Sequence, residues 1–171
     1  RARNDAILVG SNTLREDNPK LDCRIMGLKD ASPIKIIISK DLDFSENLKA
    51  FSKYSKRSLI FTSIGSKKNI LRFKNINADI FKFKLNDFKL KNILEKISEL
   101  GVSNLIVEGG SKIFGSFIKS QLVDSIMIFR SGHFIGNKGL QAFDLENFNF
   151  SSKNLNLKLK NFFLIDDNHL E

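Results

Sequence analysis

Three places in this chain combine residue types suited to holding a phosphorylated ligand. The first is Glu108-Gly109-Gly110, which follows the apolar run Leu105-Ile106-Val107 and precedes apolar residues at a different spacing, Ile113, Phe114, Phe117 and Ile118. With a strand before and a helix from Ser111 onward, the glycines lie where the backbone turns and no side chain blocks a ligand. The N–H groups of the first helical turn then point into the crevice at the carboxyl end of the strand, where a phosphate fits. The helix-end field contributes only about 0.3–1 kcal/mol at an exposed site, so flanking basic groups such as Lys112 must help. A carboxylate beside a phosphate cradle is unfavourable unless it faces another ligand, which singles out Glu108. The pattern alone fits equally a tight strand-to-helix turn with Glu108 as a solvated strand end. It is not GxGxxG, and the span from Gly110 to Ser116 has the length of GxxxxGK[ST] without its lysine.

The second place repeats this logic. Residues 5–10, DAILVG, read as a strand that ends at Gly10, and Ser11, Asn12 and Thr13 follow. Thr13 could cap a short helix or contact a phosphate. Pro19 keeps Asn18 out of helical geometry, so the helix must end near Asp17, which puts Asp17 in a turn at the same end of the sheet. The third place is a set of arginines around that strand, Arg1, Arg3 and Arg24, whose guanidinium forks suit phosphate monoesters; surface solvation accounts for any one of them alone.

Composition limits the alternatives. The chain has 171 residues, of which 42% are hydrophobic, enough for one domain with one core. Its 28 Lys and Arg against 19 Asp and Glu give a net charge of +9, favouring anionic partners. The lysines are scattered among Asn, Ile and Phe; Trp is absent, Tyr occurs once, and most Phe lie in periodic apolar runs, all of which argue against a nucleic-acid stacking surface. Cys23 is the single cysteine and the two histidines, His133 and His169, are far apart, so no intrachain disulfide and no zinc cluster is expected; metal sites are expected to be absent. No apolar segment approaches the roughly 20 residues that span a bilayer, so a membrane role is not expected and a reducing cytoplasmic setting is.

The elements that would position these residues are legible as periodicities. Strands are expected at residues 5–10, 34–39, 58–63, 78–83 and 104–108, and again at 124–130 (DSIMIFR). Between Asp87 and Gly101, Leu90, Ile93, Leu94, Ile97 and Leu100 recur at three- and four-residue steps, an amphipathic helix closed by glycine. Alternating strands and helices imply a mostly parallel sheet with right-handed crossovers. The tail at residues 155–166 alternates apolar and polar residues and reads as an antiparallel strand or hairpin. The chain begins at Arg1 and enters a strand almost at once, so an N-terminally truncated single domain over residues 1–171 is expected.

Taken together, RARNDAILVGSNTLREDNPKLDCR, PIKIIIS and NLIVEGGSKIFGSFIKSQLVDSIMIFRSGHFIGNKGL resemble, in order and spacing, the reductase domain of the bacterial riboflavin-biosynthesis bifunctional deaminase/reductase. The resemblance covers Arg1 to about Phe143. It implies an α/β, dihydrofolate-reductase-like three-layer fold: a mostly parallel central sheet, helices on both faces and antiparallel C-terminal strands. The activity it implies is NADPH-dependent reduction of the ribosyl group of 5-amino-6-(5-phosphoribosylamino)uracil to ribityl. The alternatives are a related NADPH-dependent reductase acting on another pterin or pyrimidine, or a basic nucleic-acid-binding domain.

The same resemblance implies roles for individual residues. Thr13 and Asp17 would lie at the cofactor, and Gly110, Ser111, Lys112, Ile113, Phe114, Gly115 and Ser116 around its pyrophosphate. Arg1, Leu21, Arg24 and Glu108 would contact the phosphoribosylaminopyrimidine substrate. Glu108 and Asp17 are the catalytic candidates, and Lys40 is the candidate for the adenosine 2′-phosphate. Implied as well are a homodimer and an upstream zinc deaminase domain; no nucleic acid and no membrane partner is expected. This chain departs from the family's usual pattern at Ser39 and Lys40, where Asp then Ser or Thr is common, at Asn18, and at SGHFIG.

Overall fold

The computed structural model describes residues 1–52, 56–64, 67–133, 135–146 and 157–161. Five strands build the sheet: β1 (Ala6–Gly10), β2 (Ile34–Ile38), β3 (Ser58–Thr62), β4 (Ala78–Lys82) and β5 (Leu105–Val107). All pair in parallel, in the order β4-β3-β2-β1-β5. The α/β class expected from the alternating pattern is therefore present. Each strand lies within a residue or two of its apolar run. Those runs are near-continuous because a parallel sheet is covered on both faces, and every residue of β1 and β3 is buried.

Among the described residues four α-helices cover the sheet: α1 (Ser11–Asp17), α2 (Lys67–Arg72), α3 (Leu90–Glu99) and α4 (Ser111–Lys119). Successive strand residues point to opposite faces. Ile7, Val9, Ile37 and Ile60 join Leu14 of α1, Leu21 and the aromatic group Phe44, Phe51 and Phe73 in one core; Ile70 of α2 packs against it. Ala6, Leu8, Ile36, Leu59 and Phe61 meet Ile93 and Ile97 of α3 and Phe117 of α4 in the other. Helix α3 ends where Gly101, at φ 88°, takes the left-handed conformation that closes a helix most cheaply with glycine.

The order of connections matters for function. From β1 the chain steps outward through β2 and β3 to β4, then crosses back by way of α3 to lay β5 on the other side of β1. The direction of travel reverses at β1, so the loops leaving β1 and β5 diverge to opposite faces. A crevice opens between their carboxyl ends, the usual ligand position in open α/β sheets. The amino ends of the same strands are latched by Asp5, whose Oδ2 accepts from the Ser103 and Asn104 N–H groups at 2.9 and 2.8 Å.

One expectation changes, and a second lies mostly outside the described residues. The run at residues 124–130 forms no strand, and Met127, Ile128 and Phe129 are 81%, 70% and 75% exposed. β-propensity is expressed only where a neighbouring ladder accepts it, and among the described residues β5 pairs with β1 alone. The tail at 155–166 falls mostly outside the described residues. Its described part, 157–161, makes no strand, and Leu157 and Leu159 are exposed.

Candidate active site

Gly10 and Gly110 occupy equivalent positions, each the N-cap between a strand and the helix that follows. Their backbones are ordinary extended ones, φ −86° and −78°, so conformation does not demand glycine at either. Space does at the first: a Cβ on Gly10 would press within 2.9 Å of Ile113, and one on Gly109 within 3.1 Å. Gly110 differs, because a Cβ there would meet nothing within 4 Å and would instead project into the open crevice. The Gly110 carbonyl accepts from Ile113 and Phe114, at 3.1 and 3.2 Å, so the N–H groups of Ser111 and Lys112 precede the first intrahelical bond. A cavity of about 260 Å³ sits here, lined by Gly10, Ser11, Asn12, Thr13, Ile38 and Gly110 to Ile113.

The residues singled out from sequence divide at this cavity. Thr13, Gly110, Ser111, Lys112 and Ile113 line it. Phe114 packs edge-on against Phe143, with ring centroids 6.0 Å apart. Gly115 is buried against the Asp144 backbone, where a Cβ would collide with the carbonyl. The Ser116 hydroxyl donates back to the Lys112 carbonyl at 2.8 Å. Asp17, the last residue of α1, is exposed and does not line the cavity. Lys40 also lies outside it, with an exposed side chain, while its carbonyl gathers Thr62 Oγ1, Ser63 N and Ile64 N at 3.0, 3.1 and 2.8 Å.

Glu108 faces a different set of groups. Its two carboxylate oxygens accept from Arg1 Nε at 2.8 Å and Arg1 Nη2 at 2.6 Å, the forked geometry that makes arginine–carboxylate pairs strong. Arg1 Nη1 donates to the Asp22 carbonyl at 2.9 Å. The Arg1 hydrogen bond holds the Glu108 carboxyl below the usual carboxylate range; partial burial opposes this, and the charges of Arg1 and Arg24 add to it. The same bond raises Arg1 above its ordinary value. A second cavity, of about 340 Å³, lies beside this pair and is lined by Arg1, Ala2, Cys23, Arg24 and Ile25. Two guanidinium groups at one concave surface, next to an ionised carboxylate, suit a ligand carrying both a phosphate and hydroxyls. Leu21 does not line it; its side chain is in the core and its backbone, at φ 60°, makes the turn that carries Asp22 to Arg24.

A family model for the RibD C-terminal domain matches residues 1–170. The chain belongs to that family. Among its relatives, the riboflavin biosynthesis protein RibD of Aquifex aeolicus is 33% identical over 141 residues, covering 82% of this chain and 38% of that protein. The chain thus spans about two fifths of that relative's length. The 2,5-diamino-6-ribosylamino-4(3H)-pyrimidinone 5′-phosphate reductase of the same organism is 27% identical over 168 residues, 96% of this chain and 73% of the relative. A solved structure of the Thermotoga maritima diaminohydroxyphosphoribosylaminopyrimidine deaminase/5-amino-6-(5-phosphoribosylamino)uracil reductase superposes with a TM-score of 0.53 at 27% identity. It covers 70% of this chain and 32% of that one. The dihydrofolate-reductase-like α/β fold expected from the sequence is that of this RibD reductase family.

Membership leaves two residues at the site that sequence reasoning passed over. Asp22 supplies the carbonyl under Arg1, and Lys35 reaches Asp22 Oδ1 at 2.7 Å from inside the core. A lysine at the second position of IKIII, an otherwise apolar central strand, was the available signal. Among the described residues no three His, Cys, Asp or Glu side chains come together as a metal site, and no helix is long and apolar enough to cross a membrane.

Proposed function

We propose that this RibD-family domain reduces the ribosyl group of 5-amino-6-(5-phosphoribosylamino)uracil to ribityl with NADPH, an early step towards riboflavin. One observation carries the reading: a side-chain-free helix start at the sheet's switch point lies directly after a carboxylate held by an arginine fork. The relatives' names, a pyrimidinone 5′-phosphate reductase and a phosphoribosylaminouracil reductase, support the substrate class.

The cavity at Gly10 and Gly110 fits the central part of a dinucleotide. Ser111 and Lys112 would donate their N–H groups to the pyrophosphate, Gly110 would leave it room, and Thr13 would supply a hydroxyl from the facing turn. Asp17 and Lys40, both exposed, are proposed as further cofactor contacts on the likeness to the family, with Lys40 at the 2′-phosphate that distinguishes NADPH. When bound, NADPH supplies the hydride that the ribosyl C1′ must gain.

The remaining work falls to the second cavity. Arg24 and Arg1 would fix the 5′-phosphate of the substrate, so binding energy remote from C1′ sets the reacting geometry. Glu108, kept ionised by Arg1, would accept hydrogen bonds from sugar hydroxyls. Leu21 would contribute through the backbone turn that carries Arg24. The reaction opens the sugar to an imine or carbonyl form before C1′ is reduced, and Glu108 or Asp17 would assist the accompanying proton movement.

The longer RibD relatives support an upstream deaminase in the same polypeptide, and the exposed apolar run Met127, Ile128 and Phe129 supports a homodimer. The test is turnover of the full-length protein with NADPH deuterated at the transferable C4 position, read by mass spectrometry. One deuterium in the ribityl chain is expected; product without deuterium, or no oxidation of NADPH, overturns the assignment.

A further inference from the structure

Lys35 is the most deeply buried charged group among the described residues, with no exposed surface, and none of the proposed chemistry uses it. It lies in β2, paired across the ladder with Ile7, on the face that carries Ile37 and the aromatic core. Its ammonium is satisfied by Asp22 Oδ1 at 2.7 Å and the Ala50 carbonyl at 3.0 Å. Asp22 belongs to the loop between Asn18 and Arg24, which contains two non-glycine residues at positive φ, Asn18 and Leu21. A loop with such a backbone keeps its shape only where surrounding contacts over-determine it. The contacts here are Lys49 N–H on Asn18 Oδ1 at 2.8 Å, the buried Leu21 side chain, Lys35 on Asp22, and Cys23 N–H on Ser32 Oγ at 3.0 Å. Of these four contacts the Lys35 one is ionic, and it falls on the residue whose carbonyl accepts from Arg1.

The groups form one chain of contacts from core to pocket. Lys35 holds the Asp22 carboxylate, the Asp22 carbonyl holds Arg1 Nη1, and Arg1 holds both oxygens of Glu108. We infer that Lys35 is a positioning residue for the phosphosugar pocket, fixing Asp22 so that Arg1 is seated against Glu108 in the orientation a phosphorylated sugar requires. This rests on the reading of the Arg1, Arg24 and Glu108 region as the substrate side. The dinucleotide crevice is built mainly on the N-termini of α1 and α4, and β2 reaches it through Ile38 alone of the strand's residues, so the effect is expected to fall on one ligand. An apolar residue of similar volume at position 35 would keep the core filled yet leave the Asp22 carboxylate unpaired and the loop free to drift.

The test compares Lys35→Met, Lys35→Arg, which keeps the charge, and Asp22→Asn, which changes no core side chain and keeps an amide oxygen in place of the carboxylate oxygen that Lys35 reaches. The first readout needs no ligand: the Nε–H resonance of Arg1 in nitrogen-15 spectra of the full-length protein, assigned with Arg1→Lys. It is expected to shift or broaden in Lys35→Met and Asp22→Asn and to return in Lys35→Arg. The second is affinity for ribose 5-phosphate, expected to fall about tenfold in the first two variants while NADPH affinity stays within twofold. An unchanged Arg1 resonance in Asp22→Asn overturns the inference, as does a parallel fall in both affinities. A wild-type protein with the Arg1 resonance but no affinity for ribose 5-phosphate contradicts the functional reading, and the resonance then decides the Lys35 coupling alone.

Discussion

Replacing Gly110 with Asp separates the cradle's role in binding from its role in folding. The backbone at Gly110, φ −78° and ψ 174°, suits any residue, and a Cβ there meets nothing within 4 Å, so the folded protein bears no strain. Aspartate is a better N-cap than glycine by a few tenths of a kcal/mol, and its charge at the N-terminus of α4 adds about 0.3–1 kcal/mol. At about 2–4 °C per kcal/mol for a domain of this size, the thermal midpoint should hold or rise by a few degrees. Binding should move the other way. The carboxylate would occupy the first-turn N–H groups that the pyrophosphate would use, and a phosphate lodged there would feel its charge at roughly 5 Å. At that separation Coulomb repulsion is about 0.8 kcal/mol in water and about 3 kcal/mol at an effective dielectric of 20; an open crevice lies between. The dissociation constant for NADPH, read from its own fluorescence or by calorimetry, should therefore rise by roughly 5- to 150-fold. The part due to repulsion should shrink with added salt. Gly110→Ala, which fills the same space without charge, should show a smaller, salt-insensitive loss. NADPH affinity within twofold of wild type in Gly110→Asp, with an unchanged melting midpoint, would refute the placement of the pyrophosphate at this bend.

Further predictions concern the acid, its titration and the packing behind the crevice. Glu108→Gln should lower turnover by about a hundredfold or more while NADPH affinity stays within twofold, measured by steady-state kinetics and titration. Because the folded carboxyl of Glu108 sits below its unfolded value, its stabilisation is fully present above about pH 4.3 and is lost as pH falls through the folded value; Asp5 shifts in the same direction through its bonds from Asn104 and Ser103. Urea midpoints at pH 7 and pH 3.5 should then differ less for Glu108→Gln than for wild type. The Glu108 share is only about 1 kcal/mol, since its side chain is 36% exposed and screened by solvent. Gly115→Ala should cost about 1–3 kcal/mol in denaturant unfolding, because the new Cβ meets the Asp144 carbonyl and the returning segment must shift. Phe73→Ala should cost about 3–5 kcal/mol, since its ring lies against both Phe44 and Phe51.

What could be read from sequence follows how each element is stabilised. β1 and β3 are buried throughout and β2 nearly so, and they therefore appear as near-continuous apolar runs, broken in β2 by Lys35, while α3 shows its single buried stripe at helical spacing. The run at 124–130 carries the same local signal as β3, but pairing is a property of neighbours and is invisible in the residues themselves. Helix α2 is only six residues long, KKNILR, too short for a helical apolar period to show. The Glu-Gly-Gly turn was legible because its glycines and acid are consecutive. The Lys35–Asp22–Arg1–Glu108 chain was not, since its members come from four separate segments joined only by the sheet order and by the positive-φ turn at Leu21. Arg1 and Glu108, 107 residues apart, meet because β5 crosses back to lie beside β1.

The most direct measurement is a crystal structure of the full-length protein grown with NADP⁺ and ribose 5-phosphate together. Pyrophosphate oxygens are expected within hydrogen-bond distance of the Ser111 and Lys112 amides, with the sugar phosphate at Arg1 and Arg24 and its hydroxyls on Glu108. Cofactor density away from the Gly10 and Gly110 bends, or sugar phosphate bound elsewhere than these arginines, would contradict this placement.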